Sequence, residues 1–267
     1  MLVPDWMKSL AVLPILCVFT PIVFVLAALC ASSSGRSLYY YRQAIRGHED
    51  EVGTEVTGKF STLGVHIVSK MYFTTGMFIT SVLLLLNYLF WFATRADVVR
   101  RLHLSDTSLP KMQTCSMWMA CTSAVALNIL SAYPLDQSPS VHNLAKLMFF
   151  CSSLVHMVLN LEDRWCEYKG RWVIWTVEYF ITLITGTTFV SLESVVHVNR
   201  SSLWVYPISA KTTEKSLDIT EMIFEYTTFV GILLHVLLMC ADMRHYGVHS
   251  HQILRKTSGT VSSRKSA

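Results

Sequence analysis

Residues 72–93 read YFTTGMFITSVLLLLNYLFWFA, a stretch without a formal charge and with one strongly polar amide, Asn87, near its far end. A run of that length crosses ~30 Å of hydrocarbon as a helix rising about 1.5 Å per residue. Five further runs share the pattern, over 10–31, 113–133, 142–161, 172–192 and 221–241. Together they predict an all-α polytopic membrane protein, a six-transmembrane-helix bundle occupying residues 1–251 with both termini in the cytosol. Residues 252–267, rich in Ser, Thr and Lys, read as a disordered cytosolic tail. The first run lacks a convincing small-residue cleavage site and is long for a signal-peptide core, so it reads as a retained anchor.

Composition agrees with this division. Hydrophobic residues make up 52% of the chain and charged residues 15%, which leaves no room for a soluble domain of ordinary size. The net charge of +4 is not gathered into any patch dense enough for nucleic acid. Cysteines stand at 17, 30, 115, 121, 151, 166 and 240, without a C-x-x-C spacing, and read as small packing residues rather than metal ligands. H-E-x-x-H, G-x-S-x-G, P-loop and dinucleotide patterns are all missing from the sequence, so no metal or cofactor is expected. Membrane acyl transfer is not excluded thereby, because it can run on a buried histidine with polar partners.

Basic residues set the expected orientation. The second connection carries Arg95, Arg100, Arg101 and Lys111, the fourth Arg164, Lys169 and Arg171, and the tail Arg244, Arg255, Lys256, Arg264 and Lys265. The third connection has none, and acidic residues at 49, 50, 51 and 55 dilute those of the first. The positive-inside rule then places the termini in the cytosol and connections one, three and five on the lumenal side. Asn199-Arg200-Ser201, a glycosylation sequon, falls in the fifth connection and so on the competent side. Tyr39-Tyr40-Tyr41, with Arg36 and Arg42 beside them, read as an interfacial belt in a long first connection. The short third connection predicts a tight antiparallel hairpin.

Ionisable groups inside the runs are the candidate functional residues, because charge in lipid is costly without a partner or a task. Counted along ideal helices, Asn87, His156, Glu178 and His235 fall at one depth, near the cytosolic side. Asn128, His142 and Glu225 fall at a second, lumenal depth, where His142 and Glu225 are expected to make a polar contact. Packing by interhelical hydrogen bonds, at about 1 kcal/mol or less each, is the competing reading for Asn87 and Asn128. The catalytic candidates are His142, Glu225, His156 and Glu178.

Val141-His142 followed by Phe150-Cys151-Ser152-Ser153-Leu154-Val155-His156-Met157-Val158-Leu159, and Phe224-Glu225-Tyr226-Thr227 with Asp242 downstream, carry a resemblance. They resemble the fourth and sixth helices of the post-GPI-attachment-to-proteins factor family. That family belongs to a wider group containing the damage-regulated autophagy modulators, and residues 61–88 resemble the loop and second helix of the latter. The resemblance spans about residues 60–245. It implies six helices, cytosolic termini, a histidine at the mouth of helix four and an acidic–aromatic pair in helix six. The implied role is lipid remodelling and maturation of GPI anchors in the Golgi or endoplasmic reticulum, with membrane lipids and GPI-anchored proteins or their lyso forms as partners. Two departures stand out: the first connection contains neither the Cys nor the Pro of the family's lumenal motif, and His235 comes one residue early. The wider group implies the alternative of a non-enzymatic regulator of autophagy or phospholipid organisation in lysosomal or plasma membrane. Neither branch settles from sequence whether the chain is itself an enzyme.

Overall fold

The structure is a computed structural model, and it describes residues 12–46, 67–101, 109–133, 137–167, 172–205, 220–239 and 243. The expected tail, 252–267, lies outside these residues, as do Asp242 and most of the first connection. Helix is the only regular structure among the described residues: α1 Leu13–Arg46, α2 Ile67–Arg101, α3 Leu109–Ala132, α4 Pro139–Glu167, α5 Trp172–Val205 and α6 Thr220–Met239. Six segments within them are long and apolar enough to cross a membrane: Leu13–Ala31, Lys70–Ala96, Lys111–Ala132, Pro139–Glu162, Val173–Ser194 and Thr220–Met239. Helix is the form the runs dictate, since hydrocarbon offers no partner to an unpaired N–H or C=O.

The spans keep to the expected positions within a few residues, but four helices run well past them. α1 continues to Arg46, so Tyr39-Tyr40-Tyr41 lie on a helix rather than in a loop. α5 continues to Val205 and carries Asn199 on helix, not in a connection. α2 continues to Arg101, which draws Arg95 into the span itself. α4 starts at Pro139, where proline's missing N–H costs nothing, and its first turn closes with the His142 N–H donating to the Ser138 carbonyl at 2.9 Å. Hydropathy locates where lipid ends, not where helix ends. Beyond the membrane nothing stops a helix until the sequence does.

Consecutive helices pack side by side from α1 to α5. α6 closes the bundle by meeting α2 through Asn87 and Met239, α4 through Phe149 and Phe229, and α5 through Thr188 and Thr228. Small residues permit the close approaches. Ser116, Ala120 and Ala124 repeat every fourth residue along the buried face of α3. A Cβ placed on Gly231 of α6 overlaps the Thr185 hydroxyl of α5, and one on Gly76 of α2 overlaps the Phe24 side chain of α1. The outward faces are apolar, with Phe19, Trp118, Val158, Phe180 and Ile184 all exposed, while Asn87, Arg95, His156, Glu178 and Glu225 are buried. That inversion of the soluble pattern is what lipid requires.

Candidate functional site

Two polar layers occupy opposite ends of the bundle, with an aromatic plug between them. The plug is Phe149 and Phe150 of α4 with Phe229 of α6 and Phe189 of α5, their ring centroids 5.2 to 6.2 Å apart. From His142 to His156 along α4 is fourteen residues, or ~21 Å, so the layers are separate sites.

The first layer lies where α2, α4 and α6 end and α3 and α5 begin. Arg95 donates from Nη1 to Asn160 Oδ1 at 2.7 Å, and Asn160 donates from Nδ2 to Glu178 Oε1 at 2.9 Å. His235 Nδ1 stands 3.2 Å from the same Glu178 oxygen, off the line of a well-aligned hydrogen bond. The His235 ring meets His156 edge to face at 5.3 Å between centroids. Tyr88 and Trp91 of α2 approach His156 edge-on at 5.0 and 5.6 Å, and the Arg95 guanidinium lies 4.8 Å over the Trp91 ring. Arg95, Asn160, Glu178, His156 and His235 are all buried. Asn160 links Arg95 and Glu178, so groups of opposite formal charge share one buried network, the arrangement by which charge is tolerated at membrane depth.

The proton on His156 is assigned by its neighbours. His156 Nδ1 lies 3.1 Å from the Ser116 carbonyl and 2.8 Å from Ser116 Oγ. A carbonyl only accepts, so Nδ1 carries the hydrogen and donates to both oxygens. A serine nucleophile needs the opposite arrangement, an imidazole lone pair facing its hydroxyl. Ser116 and His156 therefore form a structural contact, not an activated pair.

The second layer lies where α4 and α6 begin. Lys146 Nζ is 3.6 Å from Glu225 Oε1, with the lysine side chain 11% exposed and the glutamate fully covered. His142 Nδ1 is 3.0 Å from the carbonyl of Tyr133 at the end of α3. The expected contact between His142 and Glu225 is thus replaced: Glu225 pairs with Lys146, and His142 bonds the backbone. The register explains it. Lys146 follows His142 by one turn on the same face of α4, and so arrives at the level of Glu225. Asn128 donates to Ser81 Oγ at 3.1 Å and Thr228 to Thr188 Oγ1 at 3.1 Å, both contacts between helices. Asn87 donates to Met239 Sδ at 3.4 Å at the first layer's level.

The structure thus brings Glu178, His156 and His235 together as the depth count expects, and separates His142 and Glu225 into different partnerships. Sequence reading missed Arg95, Asn160 and Lys146. Each stands one turn from a polar or aromatic residue on its own helix, after Trp91, His156 and His142 respectively, and that i,i+4 spacing was the available signal. Among the described residues no cluster of three His, Cys, Asp or Glu is placed to hold a metal ion. Comparison with known protein families, with curated proteins and with solved structures finds no match for this chain.

Proposed function

We propose that this chain is a multi-pass membrane protein acting in lipid remodelling and maturation of GPI anchors, with the buried Lys146–Glu225 layer as its candidate site. One observation carries the reading. The two stretches that bear the family resemblance, on α4 and α6, lie on neighbouring helices joined by a charged pair at membrane depth. Charge so placed is costly unless it serves a task, and a lipid remodelling step needs charged groups at the headgroup level. The basic connections orient that layer to the lumen of the Golgi or endoplasmic reticulum, with the termini in the cytosol.

The test is disruption of the gene followed by measurement of surface GPI-anchored proteins and mass spectrometry of their lipid chains. The expected result is a loss of anchors carrying a remodelled saturated chain. Unchanged chains and unchanged surface levels, with no paralogue expressed, overturn the proposal.

Orientation has its own check. Wild-type protein is expected to shift in mobility on glycosidase digestion, and Asn199→Gln is expected to abolish the shift. Protection of a carboxy-terminal tag from protease in sealed vesicles reverses the assigned topology.

The complete burial of the Arg95–Glu178 layer favours a second reading, a non-enzymatic regulator of autophagy or phospholipid organisation. A network in which every group is covered works as an interhelical clasp rather than a reaction centre. Lysosomal or plasma-membrane residence of the tagged protein favours this reading, and Golgi residence favours remodelling.

A further inference from the structure

We propose that His142 is an acid-sensitive latch on the lumenal mouth of the bundle, closed while its ring is neutral and released when the compartment beside it acidifies. The inference rests on reading the Lys146–Glu225 layer as the candidate site and deepens it by naming what regulates the mouth above it.

α3 ends and α4 begins at this mouth, joined by the short connection 133–138. The Tyr133 carbonyl follows the last residue of α3, where a helix leaves its carbonyls without an internal donor. His142, in the first turn of α4, supplies one: its Nδ1 lies 3.0 Å from that carbonyl. A carbonyl only accepts, so Nδ1 carries a hydrogen and the neutral ring keeps a lone pair on Nε2. The residue is 1% exposed, and Nε2 has no hydrogen-bond partner among the described residues. One side-chain hydrogen bond thus ties the first turn of α4 to the end of α3.

A second proton changes the balance. It goes to Nε2, which then becomes a buried donor with no acceptor on a ring whose charge is out of water. The ionisable groups at this end are Lys70 on α2, Tyr133 after α3, Lys146 on α4, Glu193 on α5, and Glu221, Glu225 and Tyr226 on α6. Of these, Lys146, one turn further along α4, is the one whose charge acts on the His142 ring, and it repels an imidazolium. Glu225 faces Lys146 at 3.6 Å instead. The two helix ends oppose each other, since the α3 C-terminus favours a cation and the α4 N-terminus disfavours one. Burial and Lys146 therefore decide, and both favour the neutral ring in the closed mouth. Turned out into water, a histidine takes up its proton near pH ~6.5. The open form thus binds a proton that the closed form refuses, so the closed mouth keeps its full stability above that pH and loses it as pH falls below. The basic connections put the mouth on the lumenal side, the side from which an acidified compartment presents its protons.

Hydrogen–deuterium exchange of the full-length protein in lipid nanodiscs reads the latch. Rates are taken at about pD 7.5 and about pD 5.5, either side of the exposed-histidine value, and each is divided by the intrinsic rate at that pD. Wild-type protection over residues 142–150 of α4 is expected to fall about tenfold at the lower value, the ratio that one linked proton gives over one pH unit. His142→Asn places an amide N–H where Nδ1 stands and binds no proton, so its protection is expected to be equal at both values. His142→Gln also binds no proton and gives the same comparison where the asparagine variant fails to fold. Equal wild-type protection at both values, or the same fall in the variants, overturns the inference. Anchor lipids in cells are scored independently: a mouth that opens in acid while anchors are unaffected leaves the latch standing and removes the remodelling role.

Discussion

Arg95→Leu is expected to destabilise the bundle by about 3–5 kcal/mol, the cost of removing one partner from a buried charge pair. The guanidinium is buried, donates to Asn160 at 2.7 Å and lies against Trp91. Without it, Asn160 Oδ1 loses that donor and the Glu178 carboxylate loses its balancing charge at membrane depth. Thermal unfolding in detergent, read beside the yield of monodisperse protein, measures the loss. Arg95→Lys is expected to fall between, because an ammonium supplies charge without the planar face that lies on Trp91. Combining Arg95→Leu with Glu178→Gln is expected to cost less than the two changes summed, since the second removes the charge that the first left uncompensated. Strict additivity shows that Asn160 does not couple them. A shift within ~0.5 kcal/mol for Arg95→Leu, typical of surface changes, defeats the clasp reading altogether.

Glu225→Gln addresses function rather than fold. Glutamine keeps the size and hydrogen-bonding capacity of the glutamate, and Lys146 is 11% exposed, so the loss of stability is expected to fall well below that of Arg95→Leu, with protein abundance measured alongside. What disappears is the charge facing Lys146 at 3.6 Å. If the proposed role in anchor remodelling holds, the variant is expected to fail to restore remodelled anchor chains in a cell lacking the gene. The size of the loss separates two roles. A group that moves a proton in the reaction costs about 10²-fold or more, whereas a group that only holds a headgroup costs nearer tenfold. Full rescue by the variant reduces Glu225 to interhelical packing.

How much of this protein was written in its sequence follows from which interactions are local. The spans were legible because crossing lipid is a property of about twenty consecutive residues, and residues 72–93 meet it unaided. The depth of a buried group was legible too, because rise per residue is constant in a helix; hence Glu178, His156 and His235 were expected at one level and are found there. Helix ends were not, since hydropathy is silent about chain that leaves the membrane still helical, as α1 and α5 do.

Partners were decided only by the tertiary structure. Depth places His142 and Glu225 near each other, but whether they touch depends on how α4 and α6 are rotated about their axes and which turn of each meets the other. Packing sets that rotation, through Gly231 against Thr185 and Phe149 against Phe229, and it presents Lys146 to Glu225 instead. Likewise Arg95 read as one basic residue among several in a connection until the continued α2 carried it one turn past Trp91 into the bundle. Its charge then has to find Asn160 and Glu178, because within the hydrocarbon there is no water to take their place.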